Sequence, residues 1–329
     1  MKRARIALSL RLVIALAFAA LISGLPARAG ELTLPPEATQ AMARMYDGDP
    51  EAAIVIAKNL QQSQPDHPLG FVLEAEARWW QTYCSASEIK YGMVEAWKRG
   101  KKPEDQAYLR LADKVIELAQ ARTGKNETAE MHLYSGVGYA LKARLLALRN
   151  ENHAVAHAGV SARTEFLRAL ALDPDMADAT AGLGLYNYYV DSLSSMVKML
   201  RFFMGIPGGN KQEGIRQMTI GMERGVLISI DVRFYLAANL RRYDQKYEQA
   251  ITIAEPLAAK YPANPIFLLL LGNLNAELSR SDKAAEYFHA VLNLPHPETT
   301  CTDCTSCSTC ASCSSRAREI ANSFLASPH

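Results

Sequence analysis

The chain has 329 residues, of which 49% are hydrophobic and 21% are charged, a composition that is typical of folded proteins and excludes wholesale disorder. Its 19 glycines and 15 prolines are too few for a collagen-like or proline-rich protein. The formal net charge is +2, but the residues before position 30 are basic without any acidic residue, so the rest of the chain is slightly acidic. Since nucleic-acid-binding proteins usually carry a basic surface, no nucleic-acid partner is predicted.

The N-terminal segment has the pattern of a secretory signal peptide. Lys2–Arg5 is basic, Leu12–Leu25 is almost wholly apolar, and the small residues Ala27 and Ala29 mark a cleavage site. These features predict a signal peptide over residues 1–29 and a mature protein that is periplasmic or secreted. No membrane span is predicted after cleavage. The alternative is that the segment is retained as an anchor.

Helical segments with regularly spaced small residues follow in chain order. After the turn Asp47-Gly48-Asp49, apolar residues recur at helical spacing and end at a proline: Ala53, Ala57, Leu60 and Pro65. Leu69–Tyr83 and Pro103–Ala121 are amphipathic, and the second opens with a proline and two acidic residues, which is typical of a helix start. A closer copy of the first pattern consists of Ala162, Phe166, Ala169 and Pro174.

An insertion interrupts the next unit. Leu183-Gly184 and Tyr188 predict its first helix and Gly214–Met222 its second, with residues 186–211 between them. The insertion ends in the glycine-rich stretch 205–211, and such a loop before a helix can bind phosphate. The spacing is not that of a Walker loop, so we predict a turn between two helices.

Two stretches near the C-terminus superimpose at an offset of 34 residues. Ala238, Ala250, Ala254 and Leu257 correspond in this way to Gly272, Ala284, Phe288 and Val291. Each stretch predicts an apolar helix, a short polar turn at residues 243–246 or 279–282, a second helix and a closing proline. A period of this length indicates a solenoid of helix pairs.

The pattern resembles the tetratricopeptide repeat, and in particular exported bacterial members of that superfamily. The resemblance implies an all-α fold, an α-α superhelix of antiparallel helix pairs over residues 30–298. Its repeat-defining residues are Ala162, Phe166, Ala169, Pro174, Ala250, Ala254, Pro262, Gly272, Ala284 and Phe288.

The resemblance also implies a concave groove, lined by the first helix of each repeat, that binds a peptide or a partner protein. By repeat position the groove residues are Tyr188, Tyr189, Tyr235, Asn239, Arg242, Asn273 and Glu277. Asn239 and Asn273 lie one repeat apart and resemble the asparagines with which chaperone-binding members hold a partner's C-terminal carboxylate. Those members also have lysines one helical turn earlier, where this chain has Tyr235 and Leu269, so the clamp is incomplete.

Five cysteines form an unbroken C-x-x-C series within residues 299–314: Cys301, Cys304, Cys307, Cys310 and Cys313. Such spacing is found in zinc and iron–sulfur sites. The residues between them are mostly threonine, serine and alanine, which favours a low-complexity linker instead. In an oxidising compartment such a linker can form disulfides. Residues 315–329 are predicted to form a short helix that caps the solenoid, followed by a C-terminal tail.

No enzymatic motif is present in the sequence. It contains no G-x-S-x-G elbow, and no paired carboxylates stand out, so no catalytic residue and no cofactor are predicted. The prediction is a non-enzymatic scaffold of the bacterial cell envelope that binds a protein or peptide partner. The alternative is a metal-handling or redox protein that acts through Cys301–Cys313.

Overall fold

The computed structural model describes residues 32–85, 103–124, 126–193, 205–294 and 308–326. These ranges are helical and contain no strand, which confirms the all-α prediction. They belong to one compact unit that starts at Leu32. Within them no helix is both long and apolar enough to cross a membrane. The predicted signal peptide lies outside the described residues.

Thirteen α-helices follow one another along the described ranges. They are α1 (Pro36–Tyr46), α2 (Pro50–Ser63), α3 (Leu69–Ser85), α4 (Pro103–Thr123), α5 (Ala129–Leu148), α6 (Asn152–Leu172), α7 (Ala177–Asp191), α8 (Lys211–Arg224), α9 (Ser229–Asn239), α10 (Tyr247–Lys260), α11 (Pro265–Glu277), α12 (Ser281–Asn293) and α13 (Ser308–Leu325).

Consecutive helices form six pairs, from α1 with α2 to α11 with α12, and each pair also packs on the next. This is the predicted α-α superhelix. Local signals set the helix starts: Asp49, Thr128 and Asn210 each accept a hydrogen bond from a backbone N–H of the first turn, which satisfies a group that the helix itself leaves free. Pro174 and Pro262 follow directly on α6 and α10, where the sequence predicts the helix stops.

The repeat-defining phenylalanines lie in slots formed by glycines. Phe166 of α6 is buried, and a Cβ on Gly136 of α5 or on Gly182 of α7 would approach its ring within 2.6 and 2.5 Å. A Cβ on Gly272 of α11 would likewise lie 2.5 Å from the ring of the buried Phe288 of α12. In each case an aromatic ring therefore fills the space beside a first helix that has a glycine, and so no side chain, at the point of contact.

Replacing Gly182 by alanine should lower the free energy of unfolding by about 1–3 kcal/mol, because the new methyl group overlaps the buried Phe166 ring. Gly159→Ala is the matched control, since a Cβ at that helical position meets only a ring atom of Tyr186 at 4.0 Å. The control should be neutral or stabilising, because alanine favours the helix more than glycine does. Urea unfolding of both variants measures the difference, and equal stabilities would show that the glycine slot is misassigned.

The glycine-rich stretch at the end of the insertion packs against α7. A Cβ on Gly209 would lie 2.4 Å from the carbonyl oxygen of Asn187, so only glycine permits this approach. The N-terminus of α8 is already capped, since Asp191 accepts from the N–H of Lys211 and Asn210 from that of Glu213. Two N–H groups of the first turn of α8 are therefore engaged within the chain, and the loop forms a turn between helices, as predicted.

Two element boundaries differ from the prediction. A π-helical turn, Leu240–Asp244, prolongs α9 and ends at Gln245, which has a φ of 52°, so the polar turn is shorter than predicted. The capping helix α13 begins at Ser308, inside the cysteine-rich segment, and not at Ser315. It packs on α12, where Phe324 stacks on Phe288 at 4.8 Å, and also on α3.

Contacts between the first and last repeats close the superhelix on itself. Asn264, the N-cap of α11, donates from Nδ2 to the carbonyl oxygen of Tyr46 at 2.7 Å. The Trp80 ring of α3 packs against Phe234 of α9 and Phe267 of α11 at centroid distances of 5.2 and 5.7 Å. The first helices of the early repeats therefore meet those of the late repeats.

Candidate functional site

The closure determines where the seven predicted groove residues lie. All are on or directly after the first helix of a repeat, as predicted, but most are covered. Tyr188, Asn239 and Asn273 are buried, Tyr189, Tyr235 and Arg242 are partly buried, and Glu277 is exposed. The groove at these positions is thus lined largely by contacts within the chain rather than open to solvent.

Asn273 is the most unusual of these residues. It is only 2% exposed, and neither its Oδ1 nor its Nδ2 has a hydrogen-bond partner in the described structure. Asn239, at the equivalent position one repeat earlier, accepts from the Tyr189 hydroxyl at 3.4 Å, while its Nδ2 has no partner. A buried amide group left without a partner costs about 1–3 kcal/mol. Packing therefore does not explain why one repeat position carries an amide with no partner in Asn273 and one with a partner for its oxygen alone in Asn239.

Two cationic side chains follow on the π-helical turn. Arg242 lies over the ring of Tyr243, at 5.2 Å from its centroid, and its buried Nη1 has no hydrogen-bond partner in the part of the chain that the structure describes. Arg241 forms an ion pair with the exposed Glu277 at 3.2 Å. Asn239, Arg242 and Asn273 together are called the asparagine strip below, since they offer donors and acceptors that the fold leaves unused.

Tyr188 has a different role from the one that its repeat position predicts. Its side chain is 0% exposed, and its hydroxyl donates to Asp244 at 2.7 Å. Lys211, the first residue of α8, forms an ion pair with the same carboxylate at 2.7 Å. Tyr188 therefore ties α7 to the π-helical turn and to the end of the insertion, and does not line an open surface.

A second group of buried polar residues joins the repeats at the point of closure, and the sequence analysis did not find it. This group, the central cluster, consists of Tyr46, Glu76, Trp79, Trp80, Tyr108, Arg144, Asp231 and Tyr235. Its residues come from five different helices, and no spacing along the chain connects them. Only a marked charge at an otherwise apolar position, such as Glu76 or Asp231, could have signalled it.

Arg144 of α5 lies at the centre of this cluster. Its Nη2 donates to Glu76 at 2.8 Å and to the Tyr108 hydroxyl at 3.0 Å, and its Nη1 lies 3.4 Å from the Tyr235 hydroxyl. The guanidinium stacks over the Trp79 ring, 4.2 Å from its centroid. Trp79 in turn donates from Nε1 to the Tyr235 hydroxyl at 2.6 Å, so a predicted groove residue is bound by α3 and α5 of the same chain.

Asp231 of α9 is the second buried carboxyl group of the cluster. The Tyr46 hydroxyl donates to its Oδ2 at 2.5 Å. Burial, and next the negative charge of Glu76, raise the pKa of Asp231 from 3.8 to about 7. Burial, followed by the charge of Asp231, also raises the pKa of Tyr46 well above its usual value. The hydrogen bond between Tyr46 and Asp231 therefore joins α1 to α9 through a carboxyl group whose pKa lies near neutrality.

A histidine and two glutamates also meet at a buried position. The ring nitrogens of His132 lie 2.6 Å from Glu165 and 2.8 Å from Glu127. Both nitrogens are engaged, so the ring has no free ligand atom for a metal. The described residues contain no group of three or more histidine, cysteine or acidic side chains that could hold a metal ion.

The predicted metal ligands cannot be placed in the same way. Cys301, Cys304 and Cys307 lie outside the described residues. Cys310 and Cys313 belong to the first turns of α13, whose side chains there are not described. Metal binding by the C-x-x-C series stays a prediction.

A cavity is present among the helices of the last two repeats. It has a volume of about 400 Å³ and lies between α10 and α12, where it is lined mainly by charged side chains, including Glu255, Lys283 and Glu286. Arg280 and Glu248 form an ion pair at its edge. None of the seven predicted groove residues lines this cavity.

Comparison with known proteins supports the repeat assignment. A family model described as a tetratricopeptide repeat matches residues 235–295, which contain α10, α11 and α12 together with the last five residues of α9. No curated protein matches the sequence. The matched stretch includes the asparagine strip and the two repeats that superimpose at an offset of 34 residues.

Proposed function

We propose that the chain, whose residues 235–295 match a tetratricopeptide-repeat family model, is a non-enzymatic scaffold of the bacterial cell envelope that binds a peptide segment of a partner protein at the asparagine strip. The observation that carries this proposal is Asn273, a buried amide whose two polar atoms have no hydrogen-bond partner among the described residues. Buried polar groups normally have partners, so a ligand is the simplest reason to keep one here.

The chemistry of the strip fits an extended peptide. Each asparagine side chain offers a donor and an acceptor, which is what the backbone of an extended chain requires from its partner. Asn239 and Asn273 present this pair at equivalent positions of neighbouring repeats, so they can contact successive peptide units. The guanidinium of Arg242 adds a positive charge beside them, which favours a segment with an acidic side chain or a free carboxylate.

Asn273→Leu should separate binding from stability. Leucine has a similar size and removes the unpartnered amide, so the free energy of unfolding should rise by about 1–3 kcal/mol, while peptide binding is lost. Thermal unfolding gives the first quantity, and selection from a displayed library of random peptides, followed by titration of the selected peptides, gives the second.

Asn275→Leu is the matched control for this experiment. Asn275 is equally buried, at 2% exposed, but its Nδ2 donates to the Leu271 carbonyl oxygen at 2.8 Å. Its replacement should not stabilise the protein and should leave peptide binding in place. If Asn273→Leu binds the selected peptides as the wild type does, the strip is not the binding site.

The envelope location is part of the proposal and rests on the sequence of residues 1–29. Expression of the full chain in a bacterium, followed by fractionation and N-terminal sequencing, tests it. A periplasmic protein that begins at Gly30 supports export and cleavage, whereas a cytoplasmic protein that retains the basic segment contradicts it. Zinc or copper bound in stoichiometric amount and lost on Cys→Ser replacement would instead favour the metal-handling alternative.

A further inference from the structure

The groove of this solenoid is occupied by the chain itself. Trp79 and Trp80 are 1% and 2% exposed and lie on α3, where they contact Tyr235 of α9 and Phe267 of α11. Tyr46 of α1 binds Asp231 of α9. A peptide that follows the first helices of the late repeats meets these contacts one turn from Asn239, so they have to separate before a long segment can bind.

The charges at this contact do not balance. Glu76 and Asp231 are both buried carboxyl groups, and Arg144 is the cation that faces them in the described structure. The other groups that face Asp231 are Tyr46 from α1 and Trp80 from α3. The hydroxyls of Tyr108 on α4 and Tyr235 on α9 lie on the Arg144 side of the cluster.

One arginine can neutralise one of the two carboxylates. With Asp231 ionised beside Glu76, the cluster holds more negative than positive charge away from water, and the described residues place no second cation against it. With one proton bound, the cluster is neutral and every contact across the closure is retained. The proton on Asp231 therefore changes the balance of charge at the contact between the first helices of the early and late repeats.

We propose that the central cluster is a proton-controlled latch, which keeps the groove closed while the Asp231 carboxyl group holds a proton and opens it when that carboxyl group is ionised. The function of the latch rests on the proposed peptide site, because opening exposes the inner faces of α9 and α11. The separation itself can be measured without any peptide.

The direction of the effect follows from the cluster. Burial and the neighbouring Glu76 raise the pKa of Asp231 to about 7, so the proton is held in mildly acidic solution and released in mildly alkaline solution. Acid closes the latch, and alkali opens it. The change falls within the range in which a folded protein can respond without general denaturation.

Acrylamide quenching of tryptophan fluorescence tests the latch. In a Trp97→Phe background the signal comes from Trp79 and Trp80, and both are buried only while the groove is closed. Quenching should increase several-fold from about pH 5 to about pH 9, on either side of the raised pKa, while far-ultraviolet circular dichroism shows that the helices persist. Hydrogen exchange should increase in α3 and α9 over the same range.

Three variants decide the outcome. Asp231→Asn keeps the contact to Tyr46 without a negative charge, so quenching should stay low at every pH. Asp113→Asn, which changes an exposed carboxylate paired with Lys142, should respond as the wild type does. Tyr46→Phe keeps the ring packing but removes the hydrogen bond to Asp231, so it should increase quenching even in acid.

The latch is wrong if the wild type shows no change with pH or if Asp231→Asn changes as the wild type does. Titrating the selected peptides over the same pH range separates the two proposals. Constant peptide binding with constant quenching contradicts the latch and leaves the binding site intact. Increased quenching without peptide binding contradicts the proposed function and leaves the latch intact.

Discussion

Arg144→Met is expected to destabilise the folded chain by about 3–5 kcal/mol near neutral pH. Methionine replaces the stem of the arginine but not its charge, so Glu76 loses a 2.8 Å ion pair and remains buried. Tyr108 loses its hydrogen bond from Arg144 in the same step, whereas Tyr235 keeps the one from Trp79. Urea unfolding measures the loss, which should be smaller in acid, where protonation of Asp231 leaves less uncompensated negative charge in the cluster.

The double variant Glu76→Gln, Arg144→Met should recover much of this stability, because it removes the buried charge together with its partner. The surface pair Arg216 with Glu213 gives the matched control, since Arg216 is exposed in α8 and pairs with a residue three positions away. Arg216→Met should change stability little. An Arg144→Met protein as stable as the wild type would mean that the buried pair does not support the closure.

Asp231→Asn should change how stability depends on pH. In the wild type the pKa of Asp231 is 3.8 in the unfolded chain and is raised to about 7 by folding, chiefly through burial and Glu76. The folded state therefore binds more protons between these two values, and its stability falls as the pH rises through that interval. The Asp231→Asn variant has no carboxyl group at this position, so its stability should not fall over that interval.

The expected difference is large at alkaline pH. A tenfold change in proton affinity corresponds to about 1.4 kcal/mol, so the variant should be more stable than the wild type by up to about 4 kcal/mol above pH 7. At pH 4 and below the two should be similar. Denaturant unfolding at several pH values, with Asp113→Asn as control, measures the two curves, and parallel curves for wild type and Asp231→Asn would contradict the assignment.

The repeat architecture could be predicted from the sequence because it depends on local spacing. Small residues such as Ala250 and Ala284 recur where two helices of a pair approach, and Phe166 and Phe288 recur where a ring fills the space beside glycines. Prolines and capping residues then mark the helix ends. Each signal spans a single repeat, so reading neighbouring residues is sufficient to find it.

The repeat pattern also placed the groove residues on first helices, but it did not predict how exposed to solvent they are. Asn239 and Asn273 lie on first helices as predicted, yet both are buried. Repeat position determines which face of a helix a residue occupies, and it does not determine what lies opposite that face. Burial here arises from helices that are far apart in sequence.

The sequence by itself determined that this protein is a stack of helix pairs, and it identified the repeat positions that face the groove. Only the tertiary structure decided that the stack closes on itself. Closure depends on the small rotation between successive repeats, which accumulates over many units and brings Tyr46 to Asp231 across a separation of 185 residues. The central cluster exists only because of that accumulated rotation, since its charges come from helices that no local pattern connects.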